Sequence, residues 1–264
     1  MDTLQTIQVA IYNKVAHVTL ARPEVNNAFN EVMITELTSV FDDLGKREDV
    51  RVIVLSGSGK NFSAGADLSY MKQAAAMNFE QNRNAAKTMA TMFRTIDRCP
   101  KPVLGKVHGA ALGGGFGLCA VCDQVVAATN TKFGLTEIKL GILPAVIGPF
   151  TIAKIGFSNF RAYGLSGERF DSEVALRIGL IHEVVTPEEL DNAIERKLEA
   201  FGSAAPKAIA VFKTYARELS GIDSDEWLER TATLISQART GDEGREGITA
   251  FLEKRTATWV DKLP

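Results

Sequence analysis

Short apolar runs alternate with helix-type patterns along the first half of the chain, and this alternation limits the possible folds more than any other feature. Residues 51–56, 103–107 and 124–128 are short and largely apolar, which predicts buried strands. Between the runs, the apolar residues that follow Asn30 repeat with helical spacing, and Asn is a common N-cap residue. We therefore expect an α/β fold with substantially parallel strand pairing.

The two ends of the chain differ from its middle. Residues 7–12 and 15–20 flank Asn13 and Lys14, a pattern typical of a β-hairpin. From residue 187 onward only helical patterns occur, over residues 206–219, 223–239 and 242–259. We therefore expect a core over residues 1–200 and a helical C-terminal segment over residues 201–264, whose large apolar residues cap the core or mediate oligomerisation.

Composition excludes several classes of protein. The 30 Lys and Arg nearly balance the 32 Asp and Glu, and this net charge of −2 argues against a nucleic-acid partner. No apolar run reaches the ~18 residues that a membrane-spanning helix needs. With only three cysteines and no visible secretion signal, we expect a cytoplasmic protein whose Cys119 and Cys122 are buried structural thiols.

Glycine is concentrated in one part of the chain, where 7 of the 22 glycines lie between Gly105 and Gly134. The run Gly113–Gly117 follows a predicted strand and opens a predicted helix, so its backbone N–H groups converge at a positive helix end. Leu118 breaks the dinucleotide-binding pattern, and Asn61 breaks the phosphate-loop pattern after Lys60. Two interpretations of these glycines are equally supported. They form an oxyanion site, or they only permit close packing and tight turns.

Two further segments are weaker candidates for a binding or catalytic role. Small residues at 64–66 would let a ligand approach the backbone, but Asp67 is equally suited to cap the next helix, which is the simpler interpretation. Glu137 is a lone carboxylate among apolar residues and would suit acid–base catalysis if it were buried. Taken alone, it is more simply explained by pairing with Lys132 or Lys139.

A family resemblance joins these segments into one site. The chain resembles the enoyl-CoA hydratase/isomerase (crotonase) family, and the resemblance covers nearly the whole chain. The matching motifs are residues 22–28 (Arg-Pro-Glu-Val-Asn-Asn-Ala), 62–67 (Phe-Ser-Ala-Gly-Ala-Asp), 109–115 (Gly-Ala-Ala-Leu-Gly-Gly-Gly), 141–144 (Gly-Ile-Leu-Pro) after Glu137, and 246–255. The resemblance implies a spiral of ββα units, a helical trimerisation segment, and coenzyme A thioester substrates.

The same resemblance assigns roles to residues. It implies that the backbone N–H groups of Ala66 and Gly114 bind the thioester oxygen and that Glu137 moves protons. The positions that it assigns to binding the substrate or its CoA moiety are Arg22, Ala64, Gly65, Asp67, Leu68, Gly113, Gly117, Phe251 and Lys254. We expect no metal and no separate cofactor, because coenzyme A is part of the substrate. The expected assembly is a homotrimer or a dimer of trimers.

One position departs from the pattern of typical hydratases. These enzymes carry a first glutamate where this chain has Gly117, so Glu137 is left as the single carboxylate. The family's Δ3,Δ2-enoyl-CoA isomerases also use one carboxylate. Residues 26–30, 62–68, 141–147 and 242–247 instead resemble bacterial methylglutaconyl-CoA hydratases, in which Gly likewise replaces that glutamate. We favour hydration of a branched or carboxylated enoyl-CoA over isomerisation, and over a non-catalytic member that binds acyl-CoA or RNA.

Overall fold

The computed structural model describes residues 4–218, 233, 237 and 241–261. Its strands are β1 (Ile7–Tyr12), β2 (Val15–Leu20), β3 (Val52–Gly57), β4 (Val103–Val107), β5 (Ala110–Leu112), β6 (Gln124–Ala128), β7 (Lys132–Gly134) and β8 (Glu183–Val185). Its α-helices are α1 (Glu31–Lys46), α2 (Leu68–Ala76), α3 (Phe79–Asp97), α4 (Gly114–Val121), α5 (Gly148–Ser166), α6 (Ser172–Arg177), α7 (Leu190–Ser203), α8 (Pro206–Glu218) and α9 (Asp242–Leu252).

The strands form a larger and a smaller sheet. The larger sheet has six strands in the order β1-β2-β3-β4-β6-β8, and every neighbouring pair after β1-β2 is parallel. The smaller sheet is the parallel pair β5 and β7, which lies next to the glycine-rich start of α4. The predicted α/β fold with mostly parallel pairing is therefore confirmed.

The predicted hairpin joins β1 and β2 in antiparallel register, with Tyr12 opposite Val15. Asn13 and Lys14 have φ angles of 50° and 63°. Positive φ at both central residues is the geometry of the two-residue turn whose twist matches that of the flanking strands. The hairpin thus gives the sheet its only antiparallel edge among the described residues.

Helix α1 begins where the sequence predicts, because the Asn30 side chain accepts a hydrogen bond from the Met33 N–H at 2.9 Å. Its apolar stripe, which includes Leu37 and Phe41, is buried in the main core. A second cap, formed by Asn78 and Gln81, starts α3. These two helices pack against each other, and their buried apolar residues belong to the same core as those of the larger sheet.

The C-terminal helix is shorter than predicted. Helix α9 ends at Leu252, whereas the pattern extended to residue 259. The chain reverses at Lys254, whose φ is 55°, and the Arg255 N–H returns to the Ala250 carbonyl. The Arg255 guanidinium then binds both carboxylate oxygens of Glu246, at 2.7 and 2.8 Å, and this pair holds the reversed segment against α9. The predicted helix over residues 223–239 lies outside the described residues.

A clamp centred on Arg51 attaches the last described residues to the core. Its guanidinium, nearly buried, donates to the carbonyls of Ala204 and Trp259 and to the Asp261 carboxylate. Lys14 also contacts Asp261, at 2.7 Å. Since Lys14 and Arg51 immediately precede β2 and β3, the segment after α9 is held at the amino ends of these parallel strands. The predicted division after residue 200 falls within α7.

The cysteines are buried, as predicted for structural thiols. Burial raises the pKa of Cys122 to about 12, so its thiol is protonated and unreactive. None of the helices in the described ranges combines the length and the apolar character that crossing a bilayer requires.

Candidate active site

The segment after β3 places the Ala66 peptide at the surface of the core. Ala66 forms a parallel bridge with Phe29: the Phe29 N–H donates to the Gly65 carbonyl at 2.7 Å, and the Asp67 N–H donates to the Phe29 carbonyl at 2.9 Å. Because successive peptide groups of an extended segment point in opposite directions, the Ala66 N–H faces away from Phe29. No acceptor for it occurs within the part of the chain that the structure describes.

The second N–H comes from the first residue of α4. Gly113 has φ 50° and ψ −117°, a conformation that glycine adopts without a steric penalty. Its own N–H donates to the Gly134 carbonyl at 2.9 Å, which attaches the turn to β7. The Gly114 N–H that follows is one of the unpaired donors at the helix start, and no described group accepts from it.

The Ala66 and Gly114 segments lie against each other. A Cβ placed on Gly65, whose φ is +90°, would be 2.7 Å from the Leu112 carbonyl oxygen and 3.1 Å from the Gly114 nitrogen. Bonds between Ser63 and the β5 residues Ala110 and Leu112 hold the two segments in this register. The two unpaired N–H groups are therefore neighbours, which is the arrangement that an oxyanion site needs.

Glu137 brings a carboxylate to the same turn. A Cβ on Gly113 would lie 3.2 Å from the Glu137 Oε1, so the carboxylate sits directly beside the residue that precedes Gly114. Its Oε2 is buried and has no hydrogen-bond partner among the described residues. Burial raises the pKa of the Glu137 carboxyl above its ordinary value. The pairing with Lys132 or Lys139 that the sequence favoured is absent from the described ion pairs, so the carboxylate is left available for chemistry.

Gly117, one turn further along α4 than Gly113, packs against buried apolar side chains. A Cβ there would lie 2.4 Å from the Ile147 Cγ2 and 3.0 Å from the Phe93 Cε1. Both side chains are buried. At the position where typical hydratases carry their first glutamate, this chain therefore has no side chain, and a larger residue would require Ile147 or Phe93 to shift.

Arg22 and Asp67 form a mostly buried ion pair at 2.8 Å next to the Ala66 segment. Arg22 also donates to the Ala28 carbonyl at 2.6 Å. Asp67 accepts from the Ser69 N–H and hydroxyl, and the bonds from Ser69 and Arg22 hold its pKa below the ordinary value. Asp67 therefore caps the start of α2, and the ion pair with Arg22 neutralises its charge. Ala64 is exposed beside this pair, and Leu68 begins α2.

Phe251 and Lys254 are not brought to Glu137 of the same chain. They lie at the end of α9, whose following segment is anchored at the amino ends of β2 and β3, whereas Ala66 follows the carboxyl end of β3. The Phe251 side chain is 83% exposed. In this chain the two residues therefore form a separate surface.

Two residues of the site were missed by the sequence analysis. Phe29 pairs with the Ala66 strand, and its ring lies 2.7 Å from where a Cβ on Gly114 would stand. Its place between Ala28 and Asn30, inside a matching motif, was an available signal. Ile147 ends the matching motif 141–147, but its contact with Gly117 joins positions far apart in the chain and was not predicted.

Comparisons with known proteins identify the family and the fold. The model of the enoyl-CoA hydratase/isomerase family matches residues 10–262. A short-chain-enoyl-CoA hydratase of Clostridium acetobutylicum is 32% identical over 244 residues, covering 92% of each chain. The solved structure of an enoyl-CoA hydratase from Shewanella pealeana has a TM-score of 0.93 at 38% identity, covering 97% of this chain and 96% of the other. AtuE of Pseudomonas aeruginosa has a TM-score of 0.94 at 34% identity, covering 97% of this chain and 100% of the other. The predicted crotonase fold is confirmed, and the chain belongs to the enoyl-CoA hydratase/isomerase family.

Proposed function

We propose that this protein adds water to an α,β-unsaturated, branched or carboxylated acyl-CoA thioester. One observation carries the proposal: two unpaired backbone N–H groups, of Ala66 and Gly114, lie beside the buried and unpaired carboxylate of Glu137. An oxyanion site and a proton-transferring group within reach of one thioester are the components that such a hydration requires.

The N–H groups of Ala66 and Gly114 bind the thioester carbonyl oxygen. Negative charge develops on this oxygen when a nucleophile attacks the conjugated double bond, because the electrons move through the α-carbon to the carbonyl. Donors that already point at the oxygen stabilise the enolate without reorganising, and removing one such donor typically costs about 10²–10³ in rate. The positive end of α4 adds to the same stabilisation.

Glu137 serves as the single acid and base. As a carboxylate it takes a proton from a water molecule, and the hydroxide bonds to the β-carbon. The protonated Glu137 then gives that proton to the α-carbon of the enolate, which restores the thioester and the free carboxylate. One carboxylate suffices because the proton that it takes is the proton that it returns. Burial raises the pKa of Glu137, which makes its carboxylate a stronger base for taking the proton from water.

The branched or carboxylated acyl group is proposed from the motifs around Gly117. Residues 141–147 and the glycine at 117 resemble those of methylglutaconyl-CoA hydratases, and Ile147 fills the space above that glycine. Residues 64–68 would line the CoA moiety, with exposed Ala64 nearest to solvent. In this arrangement Arg22 acts through Asp67, because its guanidinium is already bound there.

The proposed assembly is a homotrimer or a dimer of trimers, built through the C-terminal segment. Large apolar side chains of this segment are exposed on the single chain, including Phe212, Phe251 and Leu252. Because α9 is held away from its own Glu137, we assign Phe251 and Lys254 to the CoA of a neighbouring copy. Sedimentation velocity should give three or six times 28.6 kDa, and a monomer that turns over substrate would contradict this assembly.

The Glu137→Gln variant tests the function. It keeps the shape of the side chain but cannot act as a base, so we expect kcat for hydration to fall by about 10²–10⁴-fold. Binding of a saturated acyl-CoA, measured by calorimetry, should change little. Glu199→Gln, at an exposed position of α7, is the matched control and should keep full activity. Unchanged hydration by Glu137→Gln would remove Glu137 from the mechanism.

Isomerisation of a 3-enoyl-CoA is the second candidate, favoured by the closed space at Gly117. A single carboxylate can also carry a proton from the α-carbon to the γ-carbon. Incubating the purified protein with 3-methylglutaconyl-CoA and, separately, with a 3-enoyl-CoA distinguishes the two by which ester is consumed. Binding of CoA esters with no turnover of either would instead support the non-catalytic alternative.

A further inference from the structure

Asn27 is a buried polar residue between two loops that lead to the candidate oxyanion site. Its side chain has no exposed surface, and both its donors and its acceptor are used. The amide nitrogen donates to the carbonyls of Ser58 and Asn61, both at 2.8 Å. The amide oxygen accepts from the backbone N–H of Arg22 at 2.9 Å. One side chain therefore connects the turn after β2 to the loop after β3.

The backbone of the turn after β2 has an uncommon conformation. Asn26 and Asn27 have φ angles of 55° and 53°, in the left-handed region that favours glycine. Asparagine tolerates this region better than most residues, but such a conformation persists only where the surroundings hold it. The three side-chain bonds of Asn27 provide this support, together with the bond from its own N–H to the Arg22 carbonyl at 2.8 Å.

The same turn is bonded to the segment that carries Ala66. The Asn27 carbonyl accepts from the Ser63 hydroxyl at 2.9 Å, and that hydroxyl oxygen accepts from the Gly65 N–H at 3.2 Å. The Gly65 carbonyl accepts from the Phe29 N–H at 2.7 Å. Because a trans peptide is planar, the Gly65 carbonyl and the Ala66 N–H point in opposite directions, so the bonds that fix Gly65 also fix the direction of the Ala66 N–H.

Ser63 connects this network to the second donor of the oxyanion site. Its backbone N–H and its carbonyl each bond to β5, at 3.0 Å. A Cβ placed on Gly115 would lie 2.4 Å from the Ser63 carbonyl oxygen, so the start of α4 packs directly against this residue. Ser63 therefore lies between the Ala66 segment and the helix that begins with Gly114, and it has no exposed surface.

We propose that Asn27 is a positioning residue for the oxyanion site, and that it directs the Ala66 N–H at the thioester oxygen through its bond to Ser63. The proposal rests on the proposed function in one respect, the binding of that oxygen by Ala66 and Gly114. Both donors of the Asn27 amide are bound to protein carbonyls, so the residue acts through geometry. An oxyanion site depends on donors that already point at the developing charge. Loss of Asn27 should therefore weaken stabilisation of an enolate more than binding of an uncharged ester.

Acetoacetyl-CoA is the probe, because this β-keto thioester loses a proton from its α-carbon and forms an enolate whose charge reaches the thioester oxygen. The enolate absorbs in the near ultraviolet, so a pH titration of the bound ester gives its pKa, which an oxyanion site lowers. Asn27→Gly removes the three side-chain bonds and places a residue that adopts a positive φ freely. We expect the pKa of the bound ester to rise by about one unit or more, an approximately tenfold loss of enolate stabilisation.

Asn26→Gly is the matched control. Asn26 has the same backbone conformation, but its one side-chain bond among the described residues is an exposed bond from Asn61. The pKa of acetoacetyl-CoA bound to this variant should equal that of the wild type. Butanoyl-CoA, a saturated ester, should bind Asn27→Gly within about twofold of wild type, because its carbonyl carries no developing charge. An unchanged pKa in Asn27→Gly, an equal shift in Asn26→Gly, or a parallel loss of butanoyl-CoA binding would overturn the positioning role.

Ser63→Ala tests the same network without altering the turn. It removes the hydroxyl between the Asn27 carbonyl and the Gly65 N–H, so the pKa of bound acetoacetyl-CoA should rise, by less than in Asn27→Gly. Ser172→Ala is its control, because it removes an equally buried hydroxyl that donates to backbone carbonyls outside the two donor segments. If Asn27→Gly does not fold, an unchanged pKa in Ser63→Ala overturns the proposal by itself.

The outcomes separate this proposal from the proposed function. Unchanged titration in the Asn27 and Ser63 variants of a protein that hydrates enoyl-CoA would overturn the positioning role alone. The expected shifts in a protein that hydrates no enoyl-CoA would overturn the hydration alone. Wild-type protein that binds acetoacetyl-CoA without lowering its pKa would overturn the oxyanion site at Ala66 and Gly114, and the role of Asn27 with it.

Discussion

Individual buried charges show which residues serve the fold and which serve chemistry. Asp67 is neutralised by Arg22, and Lys213 by Asp123 at 2.6 Å with a second bond to the Lys101 carbonyl. Among the described residues, Glu137 alone has a buried carboxylate oxygen without a partner. Since burying an unpaired polar atom costs stability, the unpaired Oε2 of Glu137 beside the Gly113–Gly114 turn points to a functional reason.

The pH dependence of activity follows from Glu137. Burial raises its pKa, and the base form is needed to activate water. Activity should therefore be full above the raised pKa and should fall as the pH drops through it, so that the acid limb of kcat/KM lies above the value of an exposed glutamate, about 4.3. Measuring kcat/KM against pH checks the prediction. An acid limb at the ordinary glutamate value would contradict a buried base.

At the scale of elements, the start of α1 matters because it directly follows Phe29, the partner strand of Ala66. The Asn30 side chain fixes that start by accepting the Met33 N–H. Asn30→Ala should lower the free energy of unfolding by about 1 kcal/mol, the usual cost of losing an N-cap. Urea unfolding measures this free energy. The Asn30→Asp variant keeps the side-chain acceptor, so its stability should be close to that of the wild type. A loss of the same size in Asn30→Asp would point to a cause other than capping.

Turns and helix caps that are formed by residues adjacent in the sequence were predicted well. The Asn13-Lys14 hairpin and the Asn30 cap depend on neighbours in the chain, and they occur where the sequence placed them. The end of α9 did not follow the pattern, because the pair between Arg255 and Glu246 folds the chain back before residue 259. Apolar residues can keep helical spacing beyond the end of a helix when a side-chain contact, rather than the local sequence, ends the helix.

At the scale of the whole molecule, Arg51 connects the C-terminal segment to the core. Replacing Arg51 with Met removes a nearly buried donor from the Ala204 and Trp259 carbonyls and leaves Lys14 as the remaining cation bound to Asp261. Unfolding free energy should fall by about 2–4 kcal/mol, and amide hydrogen exchange should become faster over residues 241–261. Arg47→Met, which removes an exposed pair with Asp49, is the control and should have little effect. Unchanged exchange in the Arg51 variant would show that other contacts hold the segment.

The sequence by itself determined the α/β class, through periodicity and caps. Its ordered motifs carried the resemblance that gave the family and most residues of the candidate site. Only the tertiary structure decided that Glu137 has no lysine partner among the described residues, that Arg22 binds the charge of Asp67, and that Ile147 packs against Gly117. The physical reason is that pairing, burial and steric exclusion depend on distances between segments far apart in sequence, and these distances exist only once the core has packed.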